Sequence, residues 1–250
     1  VALPITAALI YAIKLFYFGD NAMLLNATAA SGLVSTLTPI TVIFGAIMFN
    51  RMMETTGCID VIRKWLATIS PNPIAQLMII GWSFAFMIEG ASGFGTPAAI
   101  AAPILMSLGF NPLKVAIFAL VMNSVPVSFG AVGTPTWFGF APLNLSAENI
   151  LAIGRQTGVM HFFAGFIIPV IGLSFIVPWA EIRKNLGFIG IAVFSCTLPY
   201  VALAMVNEEF PSLVAGAIGL MVSVFAANHG WGLSKDHPKD PNAEKVPFAQ

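Results

Sequence analysis

The stretch Glu89-Gly90-Ala91-Ser92-Gly93-Phe94-Gly95-Thr96-Pro97 constrains this chain more than any other. It places helix-breaking glycines behind a carboxylate, with charge-free apolar runs on both sides. Irregular backbone inside so much apolar sequence is rare in a protein solvated by water. In a bilayer it is tolerated only where protein buries it or where it lines a polar cavity. Transporters hold substrate at breaks of this kind.

Composition points to the same solvent. Hydrophobic residues make up 58% of the chain and charged residues 9%, with a mean hydropathy of +0.88. An ordinary globular domain carries about 25% charged residues, so this chain cannot cover a water-facing surface, and lipid is its expected partner. The net charge is zero, which gives nucleic acid no reason to bind. Cys58 and Cys196 are far apart and lack ligand spacing, so neither a disulfide framework nor a metal site is expected, and no cofactor is expected either. The chain opens at Val1 inside an apolar run and reads as a piece of a longer membrane protein.

Hydropathy predicts an all-α polytopic membrane transporter, a helical bundle with broken or re-entrant helices filling 1–250 as one membrane domain. A bilayer core needs about 20 apolar residues per helix. On that measure spans are expected at 1–18, 27–49, 115–132, 156–180, 186–206 and 211–227, with 74–108 as a broken hairpin, either re-entrant or two full spans. Residues 50–71 alternate Arg51, Glu54, Asp60, Arg63 and Lys64 with apolar side chains and read as an amphipathic helix lying in the interface. Residues 133–146 form a second irregular stretch, and 228–250 a polar loop. Placing 50–71 in the cytoplasm puts Lys114, Arg183, Lys184, Lys235, Lys239 and Lys245 on that side and leaves Glu208-Glu209 outside, as the positive-inside rule asks. Trp65, Trp82, Trp137 and Trp179 near span ends read as interface anchors, with walling of the second break as the alternative for Trp137.

Two helix starts suit an anion. In Thr96-Pro97 the Thr is a good N-cap and Pro is favoured at the first helical position, while Gly93 and Gly95 let the preceding backbone turn. The N–H groups and positive dipole end then face whatever lies before Thr96, and a carboxylate is a natural occupant. Gly130-Ala131-Val132-Gly133-Thr134-Pro135 repeats the pattern 38 residues on. Packing turns between close helices are the competing reading of both. The candidate substrate residues are therefore Ser92, Gly93, Phe94, Gly95 and Thr96 from the first break and Gly133, Thr134 and Thr136 from the second. Asn123, Ser124 and Ser128 join them from span 115–132, where Ser124 and Ser128 would share a helix face. Glu89 is either the carrier of a coupled proton or a structural carboxylate. His161 is either a proton relay or a satisfied structural histidine, and Arg155 either an interface residue or a counter-ion.

The run Ile88-Glu89-Gly90-Ala91-Ser92-Gly93-Phe94-Gly95-Thr96-Pro97-Ala98-Ala99-Ile100 resembles the E-G-A-[AS]-G-F-G-x-P-x-A-I motif of the L-lactate permease family, which includes glycolate permeases. The resemblance continues through Leu108–Leu113 and Asn123–Pro135, with Thr56–Arg63 upstream. It implies an inner-membrane carrier of bacterial type that takes up L-lactate, D-lactate or glycolate with a proton. It also implies two inverted repeats moving in an elevator-like way, of which this chain resembles the N-terminal half, so that a C-terminal half would be its partner. Homo-oligomer formation is left open. Ser92 and Thr96 stand where many members have Ala, a departure that bears on substrate choice. An intramembrane enzyme, an ion channel and a dicarboxylate carrier are the competing functions. The spans lack a His-Glu-x-x-His or paired aspartates, a repeated filter and, Lys14 in the first span apart, a Lys or Arg for a second carboxylate.

Overall fold

The computed structural model describes residues 2–236, and every regular element among them is helical. Lys239, Lys245 and the end of the polar loop expected over 228–250 lie outside the described residues. The chain divides into one compact unit up to Met53 and another from Glu54.

The first unit is built on α1 (Ala2–Phe16), α2 (Ala22–Ser35) and α3 (Leu37–Thr55). Asn21 starts α2 by accepting the Met23 N–H at 2.8 Å, which satisfies one of the orphan donors of a helix N-terminus. The Lys14–Asp20 ion pair at 2.9 Å and the Tyr11 hydroxyl donating to Asn26 Oδ1 at 2.7 Å fasten the α1–α2 turn. The span expected at 27–49 is longer than that: Ala22–Thr55 is a 34-residue apolar helical run, stepping at Thr36. Residues 50–55 thus continue α3 instead of opening an amphipathic helix. Gly57, at φ 76°, turns the chain, and the amphipathic segment is only α4 (Cys58–Thr68). Ile59, Leu66 and Ile69 form its buried side.

The second unit continues with α5 (Pro73–Ser92), α6 (Thr96–Ser107), α7 (Pro112–Met122) and α8 (Gly130–Phe140). After them come α9 (Ala147–Ser174), α10 (Trp179–Lys184), α11 (Leu186–Ala204) and α12 (Pro211–Asn228). Among the described residues, α5, α9, α11, α12 and the Ala22–Thr55 run are long and apolar enough to cross a bilayer. Pro112–Met122 with Pro126–Leu143, bent by 60°, meets the same test as a pair. Exposed apolar side chains such as Phe163, Ile167, Ile171 and Met221 lie on these helices. Hydrocarbon solvates such faces at no cost, whereas water would penalise each by about 1.5–3 kcal/mol.

Helix α5 is the most buried of the spanning helices. Asn72 caps it by accepting the N–H groups of Ile74 and Ala75, with Pro73 in the first turn. Its middle, Ile79–Phe84, widens to a π-helical turn. There Trp82 donates to the Ala192 carbonyl on α11 at 3.2 Å, and Ser83 meets Ser223 of α12 at 2.9 Å. Trp82 is therefore a core residue, 1% exposed, and not the interface anchor its position in the sequence suggests. Below the π turn, α5 and α12 touch backbone to backbone. A Cβ on Gly90 would overlap the Leu213 amide, and one on Gly216 would overlap Met87. Small residues permit this approach in membranes, where van der Waals contact is the main attraction between helices.

Gly90→Ala should therefore destabilise the protein by about 1–3 kcal/mol through forced separation of α5 and α12. Gly190→Ala, which meets nothing within 4 Å, should not. Thermal unfolding of the two variants in detergent checks the pair.

Candidate functional site

The first break is narrower than the sequence suggests. Helix α5 runs on through Glu89, Gly90 and Ser92, so Glu89 sits in its last turns and not at the head of an irregular segment. The Gly93 N–H still bonds the Glu89 carbonyl at 2.9 Å, and then Gly93, Phe94 and Gly95 turn at φ 57°, 53° and 80°. The left-handed Phe94 stores strain of about 1–2 kcal/mol. The cap of α6 is Gly95 and not Thr96, which is already helical, because the Thr96 N–H closes onto the Gly93 carbonyl at 3.0 Å. The N–H groups of Phe94 and Gly95 make no hydrogen bond among the described residues. The Ser92 hydroxyl donates to the Ile88 carbonyl at 3.0 Å. The Thr96 side chain is half-buried.

The second break is larger. Span 115–132 is not one helix, because α7 stops at Met122 and a 3-10 turn covers Pro126–Phe129. Ser124 and Ser128 consequently do not share a helix face, and Ser124 is exposed with its hydroxyl on the Val121 carbonyl. Ala131, Val132 and Gly133 then follow in the left-handed region at φ 44°, 53° and 72°. Two of these carry side chains, one of them β-branched, at a cost of about 1–2 kcal/mol each. Side chains from the following helix hold the strained turn. Thr134 donates to the Ala131 carbonyl at 2.6 Å, Thr136 to the Ser128 carbonyl at 2.9 Å, and Trp137 Nε1 to the Val132 carbonyl at 3.3 Å. Trp137 does wall this break. Thr134 reaches back into the break instead of capping a helix. The irregular stretch expected over 133–146 is instead helical from Thr134 to Phe140, with a 3-10 turn at Ala141–Leu143.

The two breaks touch. A Cβ on Gly93 would stand 2.9 Å from the Ala131 Cβ and 3.0 Å from its amide nitrogen. One turn earlier on α5, the Glu89 carboxyl fills the space where a Gly130 side chain would project. Glu89 is 1% exposed. The Asn123 amide faces this carboxyl from the end of α7. Glu89 Oε2 and Asn123 Oδ1 are both buried without a hydrogen-bond partner among the described residues. A buried polar atom in this condition costs about 1–3 kcal/mol.

Side chains from α9, α11 and α12 position the break, among them Tyr200, which no sequence motif marks. Tyr200, fully buried on α11, donates to the Val125 carbonyl at 3.2 Å, and His161 Nδ1 lies 2.8 Å from the same hydroxyl. One buried hydroxyl thus joins the Val125 carbonyl of the break to the His161 imidazole. Ser212 of α12 donates to the neighbouring Pro126 carbonyl at 2.6 Å. Phe86 and Phe129 pack on the Tyr200 ring at 5.4 and 5.3 Å. His161 therefore reaches the second break through Tyr200 and makes no hydrogen bond to Glu89. The signal for Tyr200 was a hydroxyl in the middle of the apolar run 186–206. Arg155 donates from Nε to the Met205 carbonyl at 2.8 Å and so serves the end of α11. A cavity of about 490 Å³, walled by Asn72, His229 and Lys235 among others, lies at the opposite end of α5 from the breaks, and one of about 200 Å³ sits beside Asp60, Ile100 and Pro103.

A bundle of apolar helices with a buried carboxylate at two touching helix breaks defines a polytopic membrane transporter. Comparison with known proteins makes this specific: the chain belongs to the L-lactate permease family, whose pattern matches residues 1–245. It is 60% identical, over 94% of its length, to a Haemophilus influenzae protein assigned by its name to the L-lactate permeases. It is 32% identical over 92% of its length to a glycolate permease of Escherichia coli, and 29% identical over 88% to the L-lactate permease of that organism. The chain covers 44%, 36% and 40% of these relatives respectively, so it spans less than half the length of each. No solved structure matches the chain. The family and the apolar helices make it a multi-pass plasma-membrane protein.

Tyr200→Phe leaves the ring packing intact but strands the Val125 carbonyl and His161 Nδ1. A loss of about 1–3 kcal/mol is expected, measured as a lower unfolding temperature in detergent. His161→Ala combined with it should add less than the sum of the two single changes, because both act through one hydroxyl.

Proposed function

We propose that this chain forms substrate-binding machinery of a longer secondary carrier that imports L-lactate, or a related 2-hydroxy monocarboxylate such as D-lactate or glycolate, by proton symport. The names of the relatives support the substrate class. The observation that carries the coupling is Glu89, a carboxyl buried at the meeting point of two helix breaks with one oxygen unpartnered. Ionised in such a place, a carboxylate is strongly disfavoured unless paired. Taking up a proton removes that penalty, and when the site opens to water, hydration stabilises the carboxylate and the proton is released.

The unbonded N–H groups of Phe94 and Gly95 stand at the N-terminus of the 12-residue α6. Backbone donors and the positive dipole end offer a carboxylate its counter-charge there without a buried cation. Between Pro73 and Phe140 the only basic residue is Lys114, near the exposed start of α7. A single carboxylate suits that arrangement better than the two of a dicarboxylate. Gly93, Phe94, Gly95 and Thr96 are the substrate-facing residues on this reading. Ser92, Thr134 and Thr136 shape the breaks through the carbonyls they bind. Gly133, packed against the Glu208 and Glu209 backbone, ties the second break to the α11–α12 connection.

The deciding experiment uses membrane vesicles carrying the complete carrier. Glu89→Gln should retain exchange of labelled L-lactate and lose lactate-driven proton uptake. Proton uptake at the unaltered rate would show that Glu89 does not carry the proton. Gly130→Ala places a methyl on the Glu89 carboxyl and should lower L-lactate uptake at least ~10-fold by shifting the breaks, as small displacements in a site do. Gly139→Ala on the same helix, with nothing within 4 Å, should leave uptake unchanged.

A further inference from the structure

Resting on that reading of the site, we infer that Glu89 Oε2 and Asn123 Oδ1 together recognise the 2-hydroxyl group of the substrate. Both are buried acceptor atoms that receive no hydrogen bond among the described residues. The surrounding chain has little left to give them. The hydroxyls of Ser92, Ser124, Thr134, Thr136, Tyr200 and Ser212 all donate to backbone carbonyls. These six hydroxyls are thus spent on holding the backbone, and the two unpaired acceptors remain at the junction of the breaks.

The unpaired donors belong to the first break itself. The N–H groups of Phe94 and Gly95 follow Glu89 by five and six residues, across the end of α5. The complementary ligand carries an acceptor end, its carboxylate, and a donor end beside it. A 2-hydroxy monocarboxylate has both on adjacent carbons. A hydroxyl has one hydrogen and two lone pairs, so with the coupled proton on Glu89 the carboxyl donates to the hydroxyl oxygen and the hydroxyl hydrogen goes to Asn123 Oδ1. Asn123 adds an acceptor that no change of protonation removes.

The same geometry predicts rejection. Propionate has the carbon chain and carboxylate of lactate but no hydroxyl, so it buries both acceptors unpaired. Sites built to bind a hydroxyl discriminate against the analogue that lacks it by large factors, and a preference of about 10- to 100-fold for lactate over propionate is expected here.

Counterflow of labelled L-lactate in vesicles with the complete carrier, run without a proton gradient, tests the inference by competition. L-lactate and glycolate should compete well and propionate at least ~10-fold less well. Asn123→Ala should weaken competition by L-lactate while leaving propionate nearly unchanged, narrowing the preference at least ~5-fold. Equal competition by propionate and glycolate in the unaltered carrier overturns the inference, and this comparison needs no variant to fold. So does an Asn123→Ala carrier in which both acids weaken by the same factor, which marks Asn123 as merely structural. Absence of any L-lactate counterflow overturns the proposed function itself, an outcome separate from loss of hydroxyl preference.

Discussion

The seating of the Glu89 carboxyl against Gly130 is the contact on which the rest of the site depends. A carboxyl inside an apolar bundle is expensive. It is accommodated here because the facing residue has no side chain and because the chain beyond it leaves helical geometry at once. That departure is itself costly, since Ala131 and Val132 are held in a backbone region L-residues avoid. The strain persists because neighbours over-determine it. Thr134, Thr136 and Trp137 bind the break's carbonyls from one side, and Tyr200 and Ser212 bind those just ahead of it from the other. Backbone strain kept in place by surrounding structure is common at binding sites.

The scaffold beneath the site is stiff. Helix α5 touches α12 through glycines on both helices, and its π turn is pinned by Trp82 to α11 and by Ser83 to α12. The first break is therefore the free end of a tightly held rod. The second break is pressed against that end through Ala131 and anchored to α11 and α12 through the Val125 and Pro126 carbonyls. One set of helices consequently positions both breaks, so a shift of α11 or α12 moves donors and acceptors of the site together.

Much of this was legible in the sequence. Charge-free runs marked α11 and α12 to within two residues of their ends, whereas α9 begins nine residues and ends six residues before the expected 156–180. The Gly-rich segments marked both breaks, because glycine tolerates the dihedral angles a tight turn requires. The errors have physical causes too. Ala131 and Val132 gave no sign of left-handed backbone, since isolated peptides disfavour it, and only tertiary hydrogen bonds hold them there. Thr96 and Thr134 looked like N-caps because their residue type caps well, yet Gly95 turns one residue earlier and Thr134 finds a closer carbonyl. Trp82 looked interfacial because it lies near the end of an apolar run, whereas its indole N–H meets a carbonyl 110 residues away.

By itself, the amino-acid order determined the solvent, the helical class, the places where helices break and the presence of one carboxylate among apolar residues. These are local properties, set by hydropathy and by backbone freedom. Tertiary structure alone decided that the two breaks meet, that Glu89 lies on Gly130 and faces Asn123, and that His161 acts through Tyr200. Those pairings join residues 34 to 41 positions apart along the chain. Nothing local encodes them, because they arise when helices pack and each buried polar group must find a partner or be left for a ligand.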